Sequence, residues 1–113
     1  MLTVRFRRDS RERLSSFLAE GHAGWAESGE DIVCAAVSAI LQTAELGLTT
    51  YAKLALSVEK TTGRMAIHLP LGARDREDAR AILGTAELAV EALAGQFPAH
   101  VAFGREPEPG EST

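Results

Sequence analysis

Cysteine is almost missing from this sequence: Cys34 is the single one in 113 residues. That excludes an intramolecular disulfide and leaves too few thiols for a cysteine-based zinc cage. Aromatic residues are scarce at 5%, so the core must be assembled from Leu, Ile, Val and Ala, and a thin core supplemented by self-association is expected. Basic residues are the minority, 12 Lys and Arg against 16 Asp and Glu for a net charge of -4. This is the wrong sign for holding a phosphate backbone, so no direct nucleic-acid partner is expected. No apolar run approaches the roughly 18 residues of a membrane span. The opening residues alternate Leu2, Val4 and Phe6 with Arg5, Arg7 and Arg8, and they lack the continuous apolar stretch of a signal peptide. A cytoplasmic protein with no membrane partner is the expectation.

What is present is the balance of one globular domain, 45% hydrophobic and 25% charged, in a length that holds one domain and little more. Alternation in Leu2, Val4 and Phe6, a turn at Asp9-Ser10 and a second extended run, Leu14 to Glu20, predict an opening hairpin. Residues 21 to 29 contain Gly21, Gly24 and Gly29, and glycine's backbone freedom makes this stretch a loop. Ser28 with Asp31 resembles a capping box, so a helix should start there. From Ile32 to Leu48 apolar residues fall nearly all round, the pattern of a buried helix ending near Gly47.

Leu54, Leu56 and Val58, a turn at Thr61-Thr62-Gly63, then Met65, Ile67 and Leu69 predict a second hairpin that Pro70 ends. Asp75 to Gly95 carries Ala79, Ile82, Leu83, Ala86, Val90 and Leu93 at helical spacing, with Arg80, Glu87 and Glu91 pointing elsewhere. Gly84 interrupts this helix at a cost that close packing would justify. Val101 and Phe103 form a short last strand, and 105 to 113, acidic and proline-bearing, reads as a disordered tail. The order ββαββαβ over residues 1 to 104 predicts a single α+β domain, an antiparallel or mixed sheet packed with two helices.

The chemistry-bearing residues gather between the first hairpin and the first helix. Cys34 lies in the first two turns of that helix, where the dipole favours a thiolate. His22, across the glycine loop, is placed for a folded-back chain to bring its imidazole to the sulfur as general base. Asp31 and Ser38 stand one turn before and after Cys34 on the same face, as supporting groups. Trp25 sits within the loop, as a cover for a hydrophobic peptide or an anchor of the loop itself. By position alone the bland readings are favoured, Cys34 as a small core hydrophobe and His22 as a solvated loop residue, and Asp31 is a helix cap whether or not it also acts in catalysis.

The stretch Gly21-His22-Ala23, then Gly29, then Asp31-Ile32-Val33-Cys34-Ala35-Ala36-Val37-Ser38 resembles the signature of the ribosomal-processing cysteine protease family Prp, the YsxB-like proteins. The resemblance covers about residues 1 to 104 and implies a catalytic dyad of Cys34 as nucleophile and His22 as general base and acid. It implies a homodimeric endopeptidase, without cofactor, that removes a short N-terminal extension from a large-subunit ribosomal protein, cutting after aromatic residues. The other reading is a non-catalytic, ribosome-associated peptide-binding module in which Gly21, Gly24, Trp25 and Gly29 merely grip a peptide. A zinc site of His22, Asp31, Cys34 and His68 is set lower, because nothing fixes His68 near the others.

Overall fold

The alternation of Leu2, Val4 and Phe6 does what it predicts: it gives strand β1 (Leu2–Arg8) one wholly buried face. The computed structural model describes residues 1–21 and 28–110, those from 28 to 31 by their backbone alone. After β1 come β2 (Leu14–Glu20), α1 (Ser28–Leu46), β3 (Ser57–Thr61), β4 (Arg64–His68), α2 (Glu77–Gln96) and β5 (Val101–Pro107). The domain is α+β with the order ββαββαβ. Its five strands form one mixed sheet, β3-β4-β2-β1-β5, in which every neighbouring pair is antiparallel except β1 and β5, which are parallel.

Cross-strand register stacks Phe6 opposite Phe17 and Phe17 opposite Ile67, and these side chains share one face with Val4, Ala19 and Val101. Both helices pack on that face, α1 through Val33, Cys34, Val37, Leu41 and Ala44, and α2 through Ala79, Leu83, Ala86 and Val90. The second face of the sheet is polar. Arg5 and Arg7 pair with Glu106 there, and Arg64 pairs with Glu20 and Glu59.

Several expectations change in detail. The first helix is not buried all round: Ile32, Leu46 and, in the π-helical turn Gly47–Tyr51 that prolongs it, Tyr51 are exposed. A two-layer domain covers one side of a helix only, which leaves the other to solvent or to a partner. Ile32–Tyr51 is also long and apolar enough to cross a membrane, contrary to the sequence expectation; Gln42, Thr43 and Glu45 break the run without lowering its average much. One third of it, 33%, is buried within the domain, where it serves as a core helix. Leu54 and Leu56 precede β3 and pack on the core edge.

Glu87 does not point to solvent. It is buried on α2 and takes a bidentate bond from Arg8, 2.8 and 3.0 Å, and a third from Arg105 at 3.0 Å. The C-terminal segment also differs from a tail beginning at 105: β5 pairs with β1 as far as Pro107, and Glu108 is buried. Parallel pairing with β1 engages one edge of the 105–107 backbone whatever their side chains, which composition does not register. Residues 111–113 lie outside the described residues.

Candidate active site

Cys34 is the seventh residue of α1 and faces the sheet, 8% exposed, between Val33 and Val37 in the core cluster. A helix that begins at Ser28 places Cys34 past the first turn, where the dipole acts most strongly, and engages its amide with the carbonyl four residues earlier. The amides left open by the helix are those of its first turn, which the chain has passed by Cys34. Burial alone is what any core cysteine shows. The turns that follow Cys34 border a cavity.

Val37, Ser38 and Leu41 follow Cys34 at three, four and seven residues along one helix face, and they form a wall of a cavity of about 210 Å³. Leu2, Ala19 and Met65 close it from the sheet side. At its rim, Lys60 is held by Glu45 on α1, at 2.6 Å, and Arg64 by Glu20 and Glu59. Ser38 lines this cavity, half-buried, whereas Cys34 one turn earlier is not among its lining residues.

Gly21 marks where the chain leaves β2. Its amide donates to the Gly63 carbonyl at 3.0 Å, and a Cβ at position 21 would come within 2.8 Å of Leu2 Cδ1 and 3.2 Å of Leu2 Cα. Gly63, at φ +77°, could not carry a side chain either, since its Cβ would lie 2.6 Å from the Gly21 carbonyl oxygen. Gly21 is thus needed for close approach and not for the positive φ that a loop glycine suggests. Gly63 was legible only as a turn residue; its second role depends on a contact 42 positions away in the chain. His22, Gly24 and Trp25 lie outside the described residues. Gly29 and Asp31 fall within α1 by their backbone, and the Asp31 side chain lies outside the description.

His68 is on the other face of the sheet. Its Nε2 is 3.1 Å from Glu108 Oε1, an oxygen that also accepts from Ser15 Oγ at 2.7 Å and from Ser16 Oγ. These are the residue types of a hydrolase triad in the wrong order: serine and histidine both donate to the carboxylate, so no base faces a serine hydroxyl. The group is a tether for the C-terminal segment. The extra residue at the irregularity between Arg7 and Arg8, where Ser16 pairs with Arg7 and Leu14 with Arg8, is Ser15, and the bulge turns it toward Glu108. Among the described residues no three His, Cys, Asp or Glu could hold a metal ion, and the sheet separates His68 from Cys34.

A buried thiol on a helix whose following turns line a cavity of mixed apolar and polar residues, in a two-layer α+β domain, is the arrangement that the comparisons with known proteins can place. The family model of cysteine protease Prp matches residues 1–102, and the chain belongs to this family. Among solved structures, the SMU.848 protein from Streptococcus mutans is similar with a TM-score of 0.83 at 28% identity, covering 96% of each chain. The ribosomal processing protease Prp from S. aureus in complex with a substrate peptide is similar at 0.82 and 20% identity, over 93% of this chain and 99% of that one. The same S. aureus protease with a covalently linked product peptide follows at 0.79 and 19%. No curated protein matches the chain.

Proposed function

We propose that this cysteine protease is an endopeptidase that removes a short N-terminal extension from a large-subunit ribosomal protein in the cytoplasm. Cys34 is the nucleophile and His22 the general base and acid. Asp31 and Ser38 support them, and Gly21, Gly24 and Trp25 carry the substrate loop, which Gly29 borders from the first turn of α1. The observation that carries the reading is the family match spanning Cys34, whose helix face runs on to Val37, Ser38 and Leu41 at a cavity of mixed apolar and polar lining. The substrate and product peptides bound to the S. aureus protease support the same chemistry.

In the reaction, His22 takes the thiol proton as Cys34 Sγ bonds to the scissile carbonyl carbon. The imidazolium then protonates the departing amine as the C–N bond breaks, leaving an acyl-enzyme. Water attacks the thioester carbonyl, His22 accepts its proton, and the S–C bond breaks to release the acid and restore the thiol. No cofactor enters.

Cys34→Ala and Cys34→Ser should abolish cleavage of a peptide spanning the extension junction while circular dichroism stays unchanged. His22→Ala should lower kcat by about 10² to 10⁴. Near-normal turnover by Cys34→Ala overturns Cys34 as the nucleophile, and a wild type that binds the junction peptide without cutting it overturns the protease reading in favour of a non-catalytic peptide-binding module. We further propose a homodimer, supported by the exposed Ile32, Leu46, Tyr51 and Leu88 on the helical layer and by an apolar groove between the helices bounded by Ile40 and Ile82. Sedimentation equilibrium of the Cys34→Ala protein under reducing conditions tests it, and a monomer at micromolar concentration overturns it.

A further inference from the structure

The chain reaches the proposed base from the end of β2, since His22 follows Gly21 directly. At that end β2 is held to β4 by the backbone bond from Gly21 to the Gly63 carbonyl. Neither glycine has room for a side chain, so no side chain can strengthen this rung. One residue back, Glu20 and Arg64 are directly paired across β2 and β4, and the Arg64 guanidinium donates through Nη1 to Glu20 Oε2. This is the last rung with side chains before the chain leaves the sheet.

The guanidinium is itself fixed. Its Nε donates to Glu59 on β3 at 3.0 Å, so carboxylates from two strands hold one planar fork. Lys60, the next residue of β3, pairs with Glu45 of α1 at 2.6 Å. A run of ion pairs thus joins α1, the helix that carries Cys34, through β3 and β4 to the residue two before His22. Arg64 and Glu20 are 39% and 49% exposed, so their pair adds little to overall stability. A proton passed between sulfur and imidazole is far more sensitive to position, because a misplacement of about 1 Å costs roughly 10²-fold in rate.

We propose that Arg64 is a positioning residue: it holds Glu20, and through Glu20 and Gly21 it sets where His22 stands relative to Cys34. The proposal rests on the assignment of Cys34 and His22 as the dyad. Because Arg64 also borders the cavity, its test needs a readout that uses no peptide.

That readout is the rate of Cys34 alkylation by iodoacetamide at pH 6.5, in which the thiolate sulfur bonds to the methylene carbon and iodide leaves. An ordinary thiol, with a pKa near 8.5, is only about 1% thiolate there, whereas one paired with His22 reacts much faster. Arg64→Ala and Glu20→Ala should each lower the rate at least fivefold, and the double variant no further than the worse of the two, since both remove one contact. Arg64→Lys keeps a cation opposite Glu20 and should stay within threefold of the wild type. Arg5→Ala removes a similarly exposed ion pair, with Glu106, from the same face of the sheet and should change the rate less than twofold. For the junction peptide, Glu20→Ala should lower kcat by a similar factor with KM unchanged, while melting midpoints stay within about 3 °C. Should Arg64→Ala fail to fold, Glu20→Ala decides alone. Alkylation of these variants at the wild-type rate, or an equal loss in Arg5→Ala, overturns the positioning role and leaves the protease reading intact. A wild type alkylated no faster than His22→Ala overturns the dyad itself.

Discussion

Asp9 and Arg74 meet as a buried ion pair, Oδ2 to Nη1 at 3.0 Å, with side chains only 1% and 7% exposed. The pair joins the turn between β1 and β2 to the segment that leads into α2. Asp9 is the hub: its Oδ1 accepts from the amides of Arg11 and Arg13, and its Oδ2 also accepts from Arg13 Nε. Arg74 in turn donates to the Leu69 carbonyl through Nε and Nη2. Asp9→Asn keeps most of the shape but leaves a buried guanidinium without its counter-charge. The expected loss is about 3 kcal/mol, read as a lower urea midpoint with an unchanged slope.

Asp9 also sets an acid limit. Burial pushes its carboxyl up, but the Arg13 amide, the Arg74 guanidinium, the Arg11 amide and the Arg13 charge together outweigh burial and bring it from 3.8 down to about 2. A carboxyl depressed on folding contributes stability that is complete above its unfolded value and disappears as pH falls through the folded one. The urea midpoint should therefore hold steady from pH 7 to about 5 and fall steeply between about 4 and 2. Asp9→Asn should flatten that fall.

Glu108 predicts a second acid-sensitive contact at the far end of the chain. Burial raises its carboxyl, and the hydroxyls of Ser15 and Ser16 with His68 reverse the effect, so its pKa lies below the ordinary 4.5. Glu108→Ala would leave the buried hydroxyls of Ser15 and Ser16 without this acceptor, at a cost of about 1 to 3 kcal/mol. Amide exchange should quicken from Arg105 to Glu108, and the Glu108 amide, bonded to the Arg8 carbonyl at 2.9 Å, reports it most directly.

Gly84 is a place to gain stability. It lies inside α2, and an added Cβ would meet nothing closer than Leu14 Cδ1 at 3.9 Å, an ordinary contact. Close packing therefore does not require glycine here, contrary to the sequence reading. Gly84→Ala should raise stability by about 0.5 to 1 kcal/mol, a few degrees in the melting midpoint, with activity unchanged.

Gly63→Ala should have the opposite outcome. The new Cβ would meet a backbone oxygen at 2.6 Å and a φ of +77°, so the crossing with Gly21 must open. A loss of about 1 to 3 kcal/mol is expected. Because the residue after Gly21 is the proposed base, turnover measured well below the melting midpoint should fall at least tenfold.

The two helices, the opening hairpin and the order of elements were legible because each rests on local periodicity: Leu2, Val4 and Phe6 at every second residue, and Ala79, Leu83, Ala86 and Val90 at helical spacing. Cys34 stood out through its neighbours, not through its burial. Contacts between distant residues left no local mark. Glu87 sits among apolar α2 positions as an ordinary surface charge would, and only Arg8 and Arg105, 79 and 18 residues away, make its burial tolerable. Glu108, between two prolines, carries every compositional sign of a free tail, yet three donors from β2 and β4 wait for it. Ala19 and Met65 read as plain core until the register of β2 against β4 shows that they border an empty volume.

The parallel pairing of β1 with β5 imposes an order on biosynthesis. Arg7 and its partner Glu106 are 99 residues apart, so β1 leaves the ribosome with one edge unsatisfied and keeps it so until nearly the whole domain has been translated. The first strand made waits for the last, and loop closure over that span is slow compared with forming either hairpin. Until β5 is added, the nascent chain exposes a strand edge beside the face that will become its core. The domain therefore completes its sheet after translation of its last strand, and a chain that stops before β5 leaves β1 open to pairing with other chains.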